Sequence, residues 1–194
     1  MAIQIGAKPD SGFNDPLGML KDCHRRVEHF LHILCVVAER AAGGPLSDEQ
    51  AAAVQAALQY FRVGGKRHTA DEEESLFPRL RADLSAEFAE LARLESDHRS
   101  ADNLHAAAEN LYSQWIANGH LSSEKERQLI AGTQQLKRLY EAHIQVEENV
   151  VFPRAAELLD DEIIATIGRE FRARFPAILV VDPPSFLREL DAIK

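Results

Sequence analysis

A chain of 194 residues with 45% hydrophobic and 27% charged residues has the length and composition of one globular domain with an appended segment, not of a disordered protein. Its net charge of −9 argues against a nucleic-acid partner, which needs a basic patch, and disfavours an anionic membrane surface. The opening MAIQIGAKPDSGFNDP shows no apolar signal core, the longest apolar stretches (FLHILCVVA and FPAILVV) are too short to span a bilayer, and two cysteines without a CxxC motif suit a reduced, cytoplasmic setting.

Residues 1–14 read as an N-terminal extension. From 17 to 41, Leu17, Leu20, Val27, Phe30, Leu31, Leu34 and Val37 recur at three- and four-residue steps, which predicts a first helix that AAGGPLS ends. Ser47 to Gln50 has the form of a capping box and opens a second helix. Gly64-Gly65 predicts a break or kink in it. A further helical piece from near Lys66 is expected to end or bend at Pro78. A third helix is predicted from about Ser85 to Asn118, with Phe88, Leu91, Leu94, Leu104, Leu111 and Trp115 facing the core. NGHLSSEKE is the next turn, Ser123 with Glu126 reads as another capping box, and a fourth helix runs on from about Glu124. Residues 161–174 predict a short fifth helix. The tail beyond it breaks at Pro183-Pro184, and Leu187, Leu190 and Ile193 recur after a possible N-cap at Ser185. No stretch shows strand alternation except AILVV, which is short and isolated.

The chain repeats itself. HTADEEESLFPR (68–79) and HIQVEENVVFPR (143–154) share His, Glu-Glu, Phe-Pro and Arg at the same offsets, 75 residues apart. DCHRRVEHFL (22–31) likewise matches SDHRSADNLH (96–105), His24 against His98. His24 and His68 are 44 residues apart, His98 and His143 are 45. The expectation is all-α: two helical hairpins related by a pseudo-twofold axis, forming an antiparallel up-down-up-down four-helix bundle over 15–160. Residues 161–194 form a C-terminal helix and tail, expected to pack on the bundle or on a second subunit in a homodimer.

Residues four apart on a helix differ by roughly 40° in direction. His68 therefore shares a face with Glu72, and His143 with Glu147. These residues fall within the apolar stripes, where a carboxylate is costly unless paired or metal-bound. One such pair alone reads as an exposed salt bridge. Two matched pairs with two matched single histidines read as a metal site. Imidazole with carboxylate suits Fe(II), Mn(II) or Zn(II). Twofold symmetry favours two ions, one on His24 and His68, the other on His98 and His143, with Glu72 and Glu147 bridging. A shared oxo or hydroxo group would leave about one position open per ion in an octahedral count.

Other residues read more plainly. Glu73 and Glu148 lie one helical step off the ligand face and are expected to be solvated or salt-bridged. Glu28 and Asp102, each four residues after a single histidine, are candidates to accept an imidazole N–H or to serve as extra ligands. His29, His32, His105 and His120 lack counterparts in the repeat and read as structural or exposed. Tyr140 and Cys23 read as packing residues beside the site.

Together, His24, HTADEEESLFP, His98 and HIQVEENVVFP resemble the hemerythrin-like, HHE cation-binding family, from about Leu17 to Ala156. The resemblance implies a four-helix bundle with a non-haem di-iron centre, and chemistry with O2, NO or peroxide or a role in iron handling. The oxygen-carrying members have a fifth histidine where this chain has Asp102, and a longer His-to-Asp spacing where it has His143-x3-Glu147. The sequence is thus closer to a four-His, two-Glu group that includes iron–sulfur repair proteins, whose cysteine-bearing N-terminal domain has no counterpart here. Three functions are expected candidates: a module binding or sensing a small oxidant such as O2 or NO, an oxidoreductase consuming peroxide or NO, and an iron-handling or structural metal bundle without turnover, with zinc or manganese as substitutes for iron.

Overall fold

The computed structural model describes residues 11–83 and 89–174. The expectations for residues 1–10, for a helix start at Ser85 with Phe88, and for AILVV and the Leu187, Leu190, Ile193 stripe lie outside the described residues. Among those residues the regular structure is entirely helical, as in a helical bundle, and no helix is long and apolar enough to cross a membrane.

Helix α1 (Pro16–Ala41) starts where the Asp15 carboxylate accepts the Gly18 N–H at 2.9 Å and Pro16 takes a first-turn position that needs no donor. It ends at Ala42 and Gly43, with φ of 46° and 69°. The loop that follows is clasped from across the bundle. The Leu121 N–H donates to the Gly43 carbonyl at 2.8 Å, and Trp115 Nε1–H donates to Gly44 at 2.7 Å. Helix α2 (Asp48–Tyr60) opens with the expected reciprocal box between Ser47 and Gln50.

Gly64-Gly65 does not break the helix. The chain widens into a π-helical turn (Phe61–Gly65) and continues as α3 (Lys66–Asp71). A Cβ on Gly64 would lie 2.8 Å from the Tyr60 ring, so the glycine makes room for that ring. Pro78 does not end the helix either. A second π turn (Glu72–Leu76) leads into α4 (Phe77–Asp83), and a third (Glu147–Val151) separates α6 (Ser123–Val146) from α7 (Phe152–Leu158), which carries Pro153. In both places the Phe N–H reaches back five residues, Phe77 to Glu72 and Phe152 to Glu147. The following proline then sits in the first turn of a new α segment, where a missing donor costs little.

Helix α5 is Ala89–Asn118. Helix α6 is capped by Ser122, which accepts the Lys125 N–H, one residue earlier than the expected Ser123. Helix α8 is Asp161–Arg174, preceded by Asp160, whose carboxylate accepts the Ile163 N–H at 2.8 Å. Its Ile167 and Phe171 are buried against the bundle, and Arg79–Glu170 and Arg174–Asp71 ion pairs tie it to the α3–α4 arm.

The core comes in two parts. One gathers Val27, Leu31, Leu34, Phe61, Ala101, Leu136 and Trp115; the other gathers Leu20, Leu76, Phe77, Leu94, Val151 and Phe152. Along each of four helical arms the chain passes from one cluster to the other through a buried polar residue: His24, His68 with Glu72, His98, and His143 with Glu147. These six side chains form a polar layer between two apolar ones.

Candidate metal centre

All six are buried, and Glu72 and Glu147 are 0% exposed. Each carboxylate comes within 3.3 Å of two histidines. Glu72 places Oε1 3.2 Å from Nε2 of His68 on its own arm and Oε2 3.3 Å from Nε2 of His98 on α5. Glu147 places Oε1 3.3 Å from Nε2 of His143 and Oε2 3.0 Å from Nε2 of His24 on α1. Nε2 of His98 and Nε2 of His143 are 3.1 Å apart. Two groups result, His24–His68–Glu72–Glu147 and Glu72–His98–His143–Glu147, each with its ligand atoms within 4.8 Å of one another. The two carboxylates belong to both.

The donor set fits a pair of divalent ions. Metal–ligand bonds of about 2.1 Å put neighbouring ligand atoms about 3 Å apart, which is the spacing seen here. Both oxygens of Glu72, both oxygens of Glu147 and Nε2 of His24 are buried without hydrogen-bond partners, despite their short mutual distances. Buried polar atoms normally find partners, and two carboxylates converging with four imidazole nitrogens are a set that a shared cation satisfies.

Behind the single histidines stand two more acids. Nδ1 of His24 meets Glu148 Oε1 at 2.8 Å, and Nδ1 of His98 meets Glu73 Oε1 at 2.7 Å. An Nδ1–H held this way fixes the tautomer that aims the Nε2 lone pair into the site. Each ring is also covered by a phenylalanine, His24 by Phe152 (centroids 5.5 Å apart, 12° between planes) and His98 by Phe77 (6.4 Å, 6°). The doubled His-x3-Glu-Glu-x3-Phe-Pro string thereby acquires a purpose at its His, at both Glu and at its Phe. Its first Glu faces two imidazoles, its second holds the opposite half's single histidine by Nδ1, and its Phe covers that histidine's ring. In a regular α-helix residues five apart point roughly 140° apart. The i→i+5 turn brings them back toward one face.

The protonation pattern follows. Burial pushes the His24 imidazolium down, but the Glu147 carboxylate 3.0 Å away, with Glu72 and Glu148, outweighs it and holds His24 at about 9. His98, opposed by burial and supported by Glu72 and Glu73, also stands at about 9. His68 is lowered to about 4 by burial, which the charge of Glu72 offsets only in part. Burial, then the charge of Glu147, raises Glu72. Glu147 is held well below the usual carboxylate range, because His143 and His24 overcome its burial.

The structure thus brings His24, His68, Glu72, His98, His143 and Glu147 together. Glu28 and Asp102 stand on exposed positions and join neither group. Glu73 and Glu148, expected to be solvated or salt-bridged, are both: about a third of each side chain is in water, and one oxygen of each pairs with a histidine. Their repetition beside Glu72 and Glu147 was the available signal. Cys23 and Cys35 are buried free thiols outside both groups.

Two comparisons bear on this site. An uncharacterized protein of Haemophilus influenzae is 26% identical over 170 residues, covering 84% of this chain and 91% of its own length. The family model described as the Hemerythrin HHE cation binding domain matches residues 15–155, a span that holds all six converging histidines and glutamates, and the chain belongs to that family.

Proposed function

We propose that this is a cytoplasmic, non-haem di-iron protein that binds or senses a small oxidant such as O2 or NO. In this reading α1, the α2–α4 arm, α5 and α6 run up-down-up-down, and residues 15–160 form the metal-holding unit. The observation that carries it is the sharing of Glu72 and Glu147 between two groups of ligand atoms. His24 and His68 would hold one ion, His98 and His143 the other, and both carboxylates would bridge. Bound iron would supply electron exchange and a place for a small ligand. The protein's own contribution is orientation and dryness. Glu73 and Glu148 fix the single imidazoles, and two apolar layers keep bulk water from the acids.

Anaerobic Fe(II) loading followed by elemental analysis tests the centre, and two ions per chain is the expected result. Saturation at one ion would show that one half of the repeat has no site of its own. Exposure of the loaded protein to O2 or NO then tests function. A new absorption band that reverses on removal of the gas supports binding. Steady consumption of NO or of peroxide supports a second reading, an oxidoreductase, which the tyrosine–histidine pair described next favours.

A further inference from the structure

The chain has three tyrosines, and their hydroxyls end in different settings. Tyr112 donates to the Leu34 carbonyl at 2.6 Å. The Tyr60 hydroxyl lies 3.3 Å from both the carbonyl and the thiol of Cys23. Tyr140 meets a base: its hydroxyl is 3.0 Å from Nε2 of His105. The single tryptophan, Trp115, donates to a backbone carbonyl.

His105 sits on α5, with the Phe61 ring against it at 4.3 Å between centroids. Burial lowers its imidazole to about 4, against the opposing charges of Asp102 and Glu109. The ring is therefore neutral at ordinary pH, and Nε2 offers a lone pair to the phenol O–H. Tyr140 lies on α6 one turn before His143, with ring centroids 6.4 Å apart at 71°. The pair thus stands against the candidate centre, and nothing in the metal-holding arrangement uses it.

A phenol that loses an electron becomes a strong acid. Where its hydrogen-bond partner is a backbone carbonyl, as for Tyr112, the proton has no acceptor, and a cation would be stranded in an apolar core. At Tyr140 the acceptor is already in place at hydrogen-bond distance.

We propose that Tyr140 and His105 act together as a proton-coupled one-electron donor to the metal centre. The inference rests on the two-metal reading above for the electron's destination. In the step, the Tyr140 O–H bond breaks. Its proton moves to Nε2 of His105, giving an imidazolium, and one electron leaves the ring for the metal pair, which hydrogen peroxide, itself reduced to water, has first oxidised and which this electron reduces by one. A neutral tyrosyl radical remains, hydrogen-bonded to the imidazolium. A one-electron reductant from solution reverses it, and the proton returns from Nε2.

The test has two arms on the full chain. In the first, metal-free protein is oxidised with photogenerated tris(bipyridine)ruthenium(III) and followed by electron paramagnetic resonance. A tyrosyl signal is expected, and Tyr140→Phe should abolish it. His105→Gln still accepts a hydrogen bond but takes up no proton, and should form the radical about a hundredfold more slowly. In the second arm, protein of verified iron content is mixed with hydrogen peroxide and freeze-quenched, and should show the same signal. A signal that survives Tyr140→Phe, or an unchanged rate in His105→Gln, overturns the pairing. A signal in the first arm with none in fully iron-loaded protein overturns the role as donor to the centre, while the metal site stands. Iron that fails to load overturns the two-metal reading and the electron's destination with it, and the first arm still decides the pair.

Discussion

Nδ1 of His24 meets Oε1 of Glu148 at 2.8 Å across a separation of 124 residues. Glu73 repeats the contact on His98 at 2.7 Å. Acids that orient a ligand histidine typically change metal affinity by about 10–100-fold when removed. Glu148→Ala and Glu73→Ala should therefore each weaken binding of one ion by that factor, with helix content unchanged. Competition against a chelator measures the effect. Isotherms that match the parent protein would return both acids to the surface.

Truncating a shared carboxylate has a different signature. Glu72→Ala and Glu147→Ala each remove oxygens that face both ligand groups. Both variants should lose affinity for both ions, whereas His68→Ala should spare the ion held by His98 and His143. Two-site metal titrations separate the cases. Full loading of Glu72→Ala at parental affinity would refute bridging.

Proton release follows from the histidines. His24 and His98 stand at about 9 against an ordinary 6.5. In the metal-free fold their protonation is stabilising below pH 6.5, and that contribution is lost as pH rises through about 9. A metal ion needs the neutral rings, so it competes with those protons. Zinc binding at pH 7 should release a proton from each single histidine, and apparent affinity should climb with pH toward 9 and fall in acid. Calorimetry in buffers of different ionisation heat counts the protons. A binding heat that ignores the buffer would contradict the assignment.

Phe77 and Phe152 are both essentially unexposed, at 0% and 1%. Each should cost about 3–5 kcal/mol of stability when cut to alanine, the usual range for a buried phenylalanine. Phe152→Leu restores most of the burial without the flat cover on His24, and should recover stability more fully than metal affinity. Denaturant melts and metal isotherms on the same variants make the comparison.

The six converging residues were legible because the repeat names them twice and four-residue spacing puts each His-x3-Glu on one face. The hold of Glu73 and Glu148 on the single histidines shows in the sequence only as their repetition, because a 3.6-residue period turns them about 100° away from the ligand acids. The π turns that begin at Glu72 and Glu147 leave no periodic trace in the sequence. Such turns explain why Gly64-Gly65 did not break its helix and why Pro78 did not end one. Glu28 and Asp102, candidates either to contact an imidazole or to lie at the surface, are exposed and join neither ligand group. A position four residues past a buried histidine shares its face only approximately, and on α1 and α5 that position faces water.

Each single histidine is completed by the opposite half of the chain: His98 by Glu72, Glu73 and Phe77, His24 by Glu147, Glu148 and Phe152. A hairpin of this kind standing alone therefore holds only fragments of two sites. Its natural unit is a couple, and the protein is in effect a dimer threaded onto one polypeptide. Carrying both halves on one polypeptide replaces an encounter between molecules with a fixed high local concentration.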